Sequence, residues 1–209
     1  MLRRLKIAPR LTLMIIVGAG LVLGLASWYD DHVVRRLLMK ETSGRVENLA
    51  AATAREMDLV KRAVEKVVQE VAVVIEEGKM NEEQIYRLLE RTVERHDEIF
   101  GSAVALQSPA GRNSLGGRVP YVFRKGGGLA RADLSVGSYG GVFQQMDWYY
   151  LPEHLRVPVW TEPYYDAGGG NILMVTYSVP VFRKSDGMFL GVVTGDVSLK
   201  WLQKSLAEM

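Results

Sequence analysis

The stretch ILMVTYSVPVFRKSDGMFLGVVTGDVSL, residues 172–199, decides the fold class. Two β-rich runs, Ile172 to Phe182 and Phe189 to Asp196, flank Arg183-Lys184-Ser185-Asp186-Gly187. β-Branched and aromatic residues suit a pleated, half-buried surface, and Asp-Gly between such runs signals a hairpin. The pair therefore reads as two antiparallel strands, closed by a helix over Leu199 to Ala207. Working outward, Val159 to Tyr164 reads as another strand and Gln144 to Leu155 as a short helix. Further back, Gly101 to Gln107 reads as a strand and Pro120 to Arg124 as a short one, with glycine loops at Gly116-Gly117 and Gly126 to Gly128.

Helices precede this β-rich half. Asn81, with Gln84 three residues on, forms a capping-box pattern for a helix whose buried stripe is Ile85, Leu88, Leu89, Thr92 and Val93. Before it, a long helix spans about Asp31 to Glu77 and stops at Gly78. Val46, Leu49, Thr53, Met57, Val60, Val64, Val67, Val71 and Val74 recur at spacings of three and four and form one apolar stripe. Helices first, then an antiparallel sheet with a short helix inserted, give an α+β class.

The N-terminus sets the compartment. Leu11 to Trp28 (LTLMIIVGAGLVLGLASW) carries no charge, and Tyr29 adds a second interfacial aromatic. Eighteen helical residues span roughly 27 Å, close to a bilayer's hydrocarbon core. Residues 1–10 hold Arg3, Arg4, Lys6 and Arg10 and no acid, so they are expected to stay in the cytoplasm while the rest is exported. The expected organisation is a basic leader over 1–10, a transmembrane helix over 11–29 and an extracytoplasmic domain over 30–209. Within that domain the long helix covers about 31–77 and the sheet-containing lobe about 100–198. A cleaved signal peptide, cut near Gly24-Leu25-Ala26, competes with the anchor, and a buried core helix is the third reading.

Composition excludes several functions. With 48% apolar and 24% charged residues the chain is not disordered. The net charge of +2 comes from the leader, and the remainder is slightly acidic, which argues against nucleic acid as a partner. Cysteine is absent, removing disulfides, thiolate metal sites and a cysteine nucleophile. No GxSxG, Walker or HExxH pattern occurs, and His32, His96 and His154 lack metal-ligand spacing. No enzyme activity, metal or cofactor is expected.

Aromatics crowd one region: Trp148, Tyr149, Tyr150, Trp160, Tyr164 and Tyr165 fall within eighteen residues, with Tyr177 on a later strand. Such side chains join broad apolar faces to polar tips and suit a pocket for a small polar ligand, although each serves a core equally well. Asp166 opens a glycine loop, Gly168 to Gly170, that either approaches a ligand or simply turns the chain. Asp196 ends a strand and either meets a ligand amine or caps the last helix.

Together, DWYY, WTEPYYD, YSVPVF and GVVTGDVSL behind an N-terminal anchor and long helix resemble the Cache-type extracytoplasmic sensors of bacteria, especially the membrane-distal lobe of double-Cache domains. The resemblance covers about residues 30–209. It implies a PAS-like antiparallel sheet with flanking helices, a small-molecule ligand (amino acid, amine or carboxylate) and a place in the bacterial inner membrane. It also implies transmembrane signalling for a chemoreceptor, kinase, phosphatase or cyclic-dinucleotide enzyme. By that resemblance Trp148, Tyr149, Tyr164 and Asp196 match ligand-holding positions, and Asp166 joins them as a candidate. The arginine that grips a ligand carboxylate in amino-acid-binding members is Met146 here, beside Gln144 and Gln145, so either a glutamine, Arg118, Arg124 or Arg131 substitutes for it or the ligand lacks a carboxylate. Members continue into a second lobe, a second membrane helix and an output module, so a chain ending at Met209 is expected to be truncated. Two competing readings are a dimerisation module pairing through the long helix and, further off, an exported hydrolase.

Overall fold

The computed structural model describes residues 7–78, 80–107, 118–136, 139 and 142–207, with residues 7–13, 15 and 30–49 described by backbone alone. Two units divide the chain, Met1–Arg55 and Glu56–Met209. In the first, the chain is helical from Ile7, within helix α1 (Ile7–Glu77). Met14, Ile16, Leu21, Val22, Leu23, Leu25, Trp28 and Tyr29 are each at least 60% exposed there. Among the described residues no helix is long and apolar enough to cross a membrane. The side chains of 11–13 and 15, which belong to the uncharged run, lie outside the described residues, as do 1–6 of the leader.

The second unit holds the end of α1, helix α2 (Glu82–Arg95), a seven-stranded sheet, and helices α3 (Asp147–Leu155) and α4 (Leu199–Ala207). The strands are β1 (Gly101–Leu106), β2 (Pro120–Lys125), β3 (Gly128–Asp133), β4 (Val159–Trp160), β5 (Tyr164–Tyr165), β6 (Leu173–Phe182) and β7 (Phe189–Ser198). Their order is β3-β2-β1-β7-β6-β4, with β5 also on β6, and every pairing is antiparallel. This is the expected α+β architecture: helices flanking a PAS-like sheet. The β6–β7 hairpin closes where Gly187 takes φ +67° and its N–H donates to Arg183 O at 2.8 Å.

Side-chain alternation gives the sheet two buried faces. On one, Val104, Val122, Val179, Val193 and Val197 pack with Val64, Val68, Val71 and Ile75 of α1 and Ile85, Leu89 and Val93 of α2. On the other, Ala103, Ala105, Tyr121, Phe123 and Val192 pack beneath Phe143, Trp148 and Tyr149. Gly195 of β7 faces α1: a Cβ there would stand 2.4 Å from Val68 Cγ2. Only glycine lets the helix lie this close to the central strand.

Helix α2 carries its capping box: Asn81 Oδ1 accepts from Gln84 N at 2.9 Å, and Gln84 Oε1 from Asn81 N at 2.8 Å. Three expectations are corrected. The stripe on α1 drifts, because Val68, Ala72 and Ile75 are buried whereas Met57 (45%) and Val74 (42%) are exposed. The sequence reading followed a 3.5-residue repeat, and a straight helix rotates ~20° per heptad away from it. Val46 and Leu49, at the start of that stripe, have side chains outside the described residues.

Glycines 126–128, read as a loop, lie at a hairpin instead. Gly126 (φ +58°) and Gly127 (φ +83°) form its two-residue turn, and Gly128 opens β3, a strand absent from the sequence reading. Finally, Val159 to Tyr164 is two short strands, not one. Pro163 has no N–H to donate, and although Thr161 N donates to Thr176 O at 2.9 Å, Thr161 Oγ1 accepts the Thr176 N–H at 3.0 Å, so a side chain stands in for one backbone acceptor. Gly116-Gly117 lies outside the described residues.

Candidate functional site

The face of the sheet turned away from α1 carries an enclosed cavity between β2, β5, β6, β7 and α3. Period-two alternation along β7 that sends Val193, Gly195 and Val197 toward α1 sends Thr194 and Asp196 to this side. The lining is Tyr121, Leu134, Tyr139, Trp148, Tyr164, Asp166, Met174, Thr194 and Asp196. Four sequence-predicted residues, Trp148, Tyr164, Asp166 and Asp196, thus meet in one place. Tyr149, the fifth, does not line it. It is fully buried behind the wall, edge-on to Phe143, Trp148 and Phe189.

Both carboxylates are out of solvent, Asp166 at 2% and Asp196 at 3% exposure. Asp166 accepts from the Tyr139 hydroxyl and the Gly170 N–H, while its carbonyl accepts from Asn171 N at 2.9 Å. This explains the glycines. A Cβ on Gly169 would stand 2.4 Å from Asp166 Oδ2, and one on Gly170 would stand 2.3 Å from Phe100 Cε1. The loop is glycine-rich so that it can wrap Asp166, and the carboxylate rather than the loop faces the cavity.

Asp196 Oδ1 accepts from Thr176 Oγ1 at 2.8 Å. Since that uses the threonine's one hydroxyl hydrogen, Tyr164 Oη, 2.9 Å away, donates to Thr176 Oγ1. Thr176 lies directly opposite Asp196 in the β6–β7 register. Capping of α4 falls to Ser198 instead, whose Oγ accepts from Trp201 N at 3.3 Å.

Burial, then the nearby charge of Asp166, pushes the Asp196 carboxyl up to about 7, although the Thr176 and Tyr121 hydroxyls pull it back. Burial is also the first cause raising the phenols of Tyr121, Tyr139 and Tyr164, with neighbouring carboxylates adding to it. These tyrosines are therefore hydrogen-bond donors at neutral pH. Tyr121 Oη stands beside Asp196 and is buried, but makes no hydrogen bond of acceptable geometry. An unmet buried donor of this kind costs free energy.

The arginines that could grip a ligand carboxylate are engaged elsewhere. Arg131 pairs with Glu83 at 2.8 Å and Glu90 at 2.7 Å, Arg118 pairs with Glu82 at 2.8 Å, and Arg124 donates to the carbonyls of Val93, His96 and Ile99. None lines the cavity, and Met146 packs against the aromatic cluster beside it. No group of three metal-ligating side chains occurs among the described residues. Sequence reasoning missed Tyr121, Tyr139, Met174, Thr176 and Thr194. Only Thr194 had a usable signal, being two residues before Asp196 on the same strand face.

Residues 85–204 match the methyl-accepting chemotaxis protein-like first PDC sensor domain. The chain belongs to this family. No curated protein matches this PDC domain in sequence. Solved structures do. The extracellular domain of soHK1S-Z6, assigned as a histidine kinase, is 26% identical, with a TM-score of 0.62 over 74% of this chain and 59% of that one. The ligand-binding domain of the Pseudomonas aeruginosa PAO1 amino acid chemoreceptor PctC, in complex with GABA, is 19% identical, with a TM-score of 0.58 over 81% and 69%. That of the Campylobacter jejuni chemoreceptor Tlp3, in complex with L-valine, is 16% identical, with a TM-score of 0.53 over 76% and 59%. The last two speak for the fold alone. The PDC domain spans about three-fifths of the length of the soHK1S-Z6 domain. It is a Cache-type sensor domain of the signal-transduction class, and the matched part of soHK1S-Z6 is an extracellular domain.

Proposed function

We propose that this chain is the sensor lobe of a bacterial inner-membrane receptor, anchored through residues 11–29 with its N-terminus in the cytoplasm, and that it binds a small polar metabolite. The carrying observation is the convergence of Trp148, Tyr164, Asp166 and Asp196 on one enclosed cavity. Sensing uses this cavity, with Tyr149 bracing Trp148 from behind. Its free space is about 10 Å³, the scale of a single water, so ligand entry requires the walls to part. Parting would act on β7, where Gly195, next to Asp196, touches α1. A ligand that favours the parted state then shifts the packing of α1 on the sheet.

Support for the anchor is thermodynamic. The uncharged run Leu11–Trp28 exposes its described apolar side chains, which favours transfer into lipid over water. Pairing of two chains through α1 is the weaker reading, because Val64, Val68 and Val71 are already buried in the chain's own core. Calorimetric titration of the purified chain with amino acids, amines, carboxylates and purines tests the sensor reading. A saturable response from one class, lost in Asp196→Asn, is the expected result, and silence across all classes would overturn it.

A further inference from the structure

Two rows of residues lie next to each other across β4, β6 and β7. Trp160, Tyr177 and Gly195 stand level on the three strands, and the adjoining row is Thr161, Thr176 and Asp196. Successive side chains of a strand point to opposite faces. The second row therefore serves the cavity, where Thr176 donates to Asp196 and receives the Tyr164 hydroxyl. The first row faces α1. Each cavity-side residue is joined to its α1-side neighbour by one planar peptide unit, so a shift of either row is passed to the other.

A single turn of α1 meets all three members of the first row. Glu65 Oε1, which also pairs with Lys61 at 3.8 Å, accepts from Trp160 Nε1 at 2.8 Å. Gln69 Nε2 donates to Tyr177 Oη at 3.0 Å, and Val68 occupies the space above Gly195. Residues three and four apart share one helix face, so Glu65, Val68 and Gln69 form one patch. The Trp160 and Tyr177 rings lie 5.1 Å apart, and the two hydrogen bonds thus hold one aromatic pair. Apolar packing such as that of Val71 and Ile75 is non-directional and tolerates sliding. Hydrogen bonds weaken steeply with length and angle, so these two are broken by a small displacement that the apolar contacts would absorb. A comparable bond to the sheet, Phe182 N to Glu76 Oε1 at 3.1 Å, lies about three turns further along α1, at the β6–β7 hairpin end.

We infer that the turn of α1 from Val64 to Gln69 is where this helix registers the state of the cavity, with Glu65 and Gln69 as the positioning residues that hold it to Trp160 and Tyr177. The inference rests on the cavity being the sensory site, and it assigns the side chains through which that site is felt on the opposite face of the sheet.

The test is a set of double-mutant cycles on the full chain in detergent at neutral pH, read by urea denaturation and needing no ligand. Trp160→Phe and Gln69→Leu each remove one hydrogen bond while keeping an apolar body, and Asp196→Asn alters the cavity. Combined with Asp196→Asn, each should change the unfolding equilibrium constant by a factor about threefold or more away from the product of the single effects. Glu76→Ala serves as the control: its combination with Asp196→Asn should match the product to within about twofold, as independent sites do. Tyr164→Phe, which touches neither acid, repeats every cycle from the cavity side, so a poorly folded Asp196→Asn chain does not decide the result. Products within twofold at both Trp160 and Gln69 would overturn the inference and leave ligand binding by the cavity standing. Coupling at Glu76 as large as at Trp160 and Gln69 would overturn it as well, since the cavity would then act on the whole helix and not on one turn. A silent metabolite titration is a separate result, and it sinks the sensor reading whatever the cycles give.

Discussion

At the residue scale, Asp196 makes the most distinctive commitment of the chain. Its carboxyl has an ordinary value of 3.8 and is pushed up to about 7 in the fold, by burial first and by Asp166 second. Between those values the folded chain holds a proton that the unfolded chain has released. This group's contribution to stability therefore falls as pH rises from about 4 to 7 and levels off above. The sign is opposite to that of a carboxylate held by a salt bridge. Thermal melts of Asp196→Asn should lack this decline and should exceed those of the parent chain at pH 8. The tyrosines facing the pair, Tyr121, Tyr139 and Tyr164, stay protonated throughout this window, so they do not contribute to the slope.

At the element scale, two positions report on how strands and helices are joined. Gly191 opens the tightly paired part of β7 at φ +149°, where a Cβ would stand 2.0 Å from Ala105 O and 2.6 Å from Leu106 Cα. The obstacle is backbone of the paired strand β1, which cannot rotate aside. Gly191→Ala should cost about 3 kcal/mol or more in chemical denaturation. For α2, Asn81→Ala removes the cap that accepts from Gln84 N, at a cost of about 1 kcal/mol in the same measurement. The capping box was legible because it depends on residues three apart in sequence. Strand β3 was not legible. Most of its residues are only partly buried at the sheet edge, so no hydrophobic alternation marks it.

At the scale of the whole molecule, the proposed export of Glu56–Met209 by an N-terminal anchor has a direct consequence. Protease added to intact spheroplasts should digest the sheet-bearing unit, and its protection would refute the proposed topology. Much of the architecture followed from local pattern: the β6–β7 hairpin, the final helix and the α+β class were all readable from alternation, turn chemistry and caps. What escaped was continuity. Val159 to Tyr164 reads as one strand, and the pairing with β6 shows it to be two, β4 at Val159–Trp160 and β5 at Tyr164–Tyr165.

Residue order alone determined that this chain has an uncharged N-terminal run, long helices, an antiparallel sheet and an aromatic-rich stretch with two notable aspartates. These are properties of neighbours along the chain, where periodicity and turn chemistry operate. Only the tertiary structure decided that Asp166 and Asp196, thirty residues apart, share one buried cavity with Tyr121 and Tyr139, and that Tyr149 stands behind its wall. The environment of a carboxylate is set by what packs around it from distant segments. Strand register and helix packing fix those surroundings, and neither is written in local sequence.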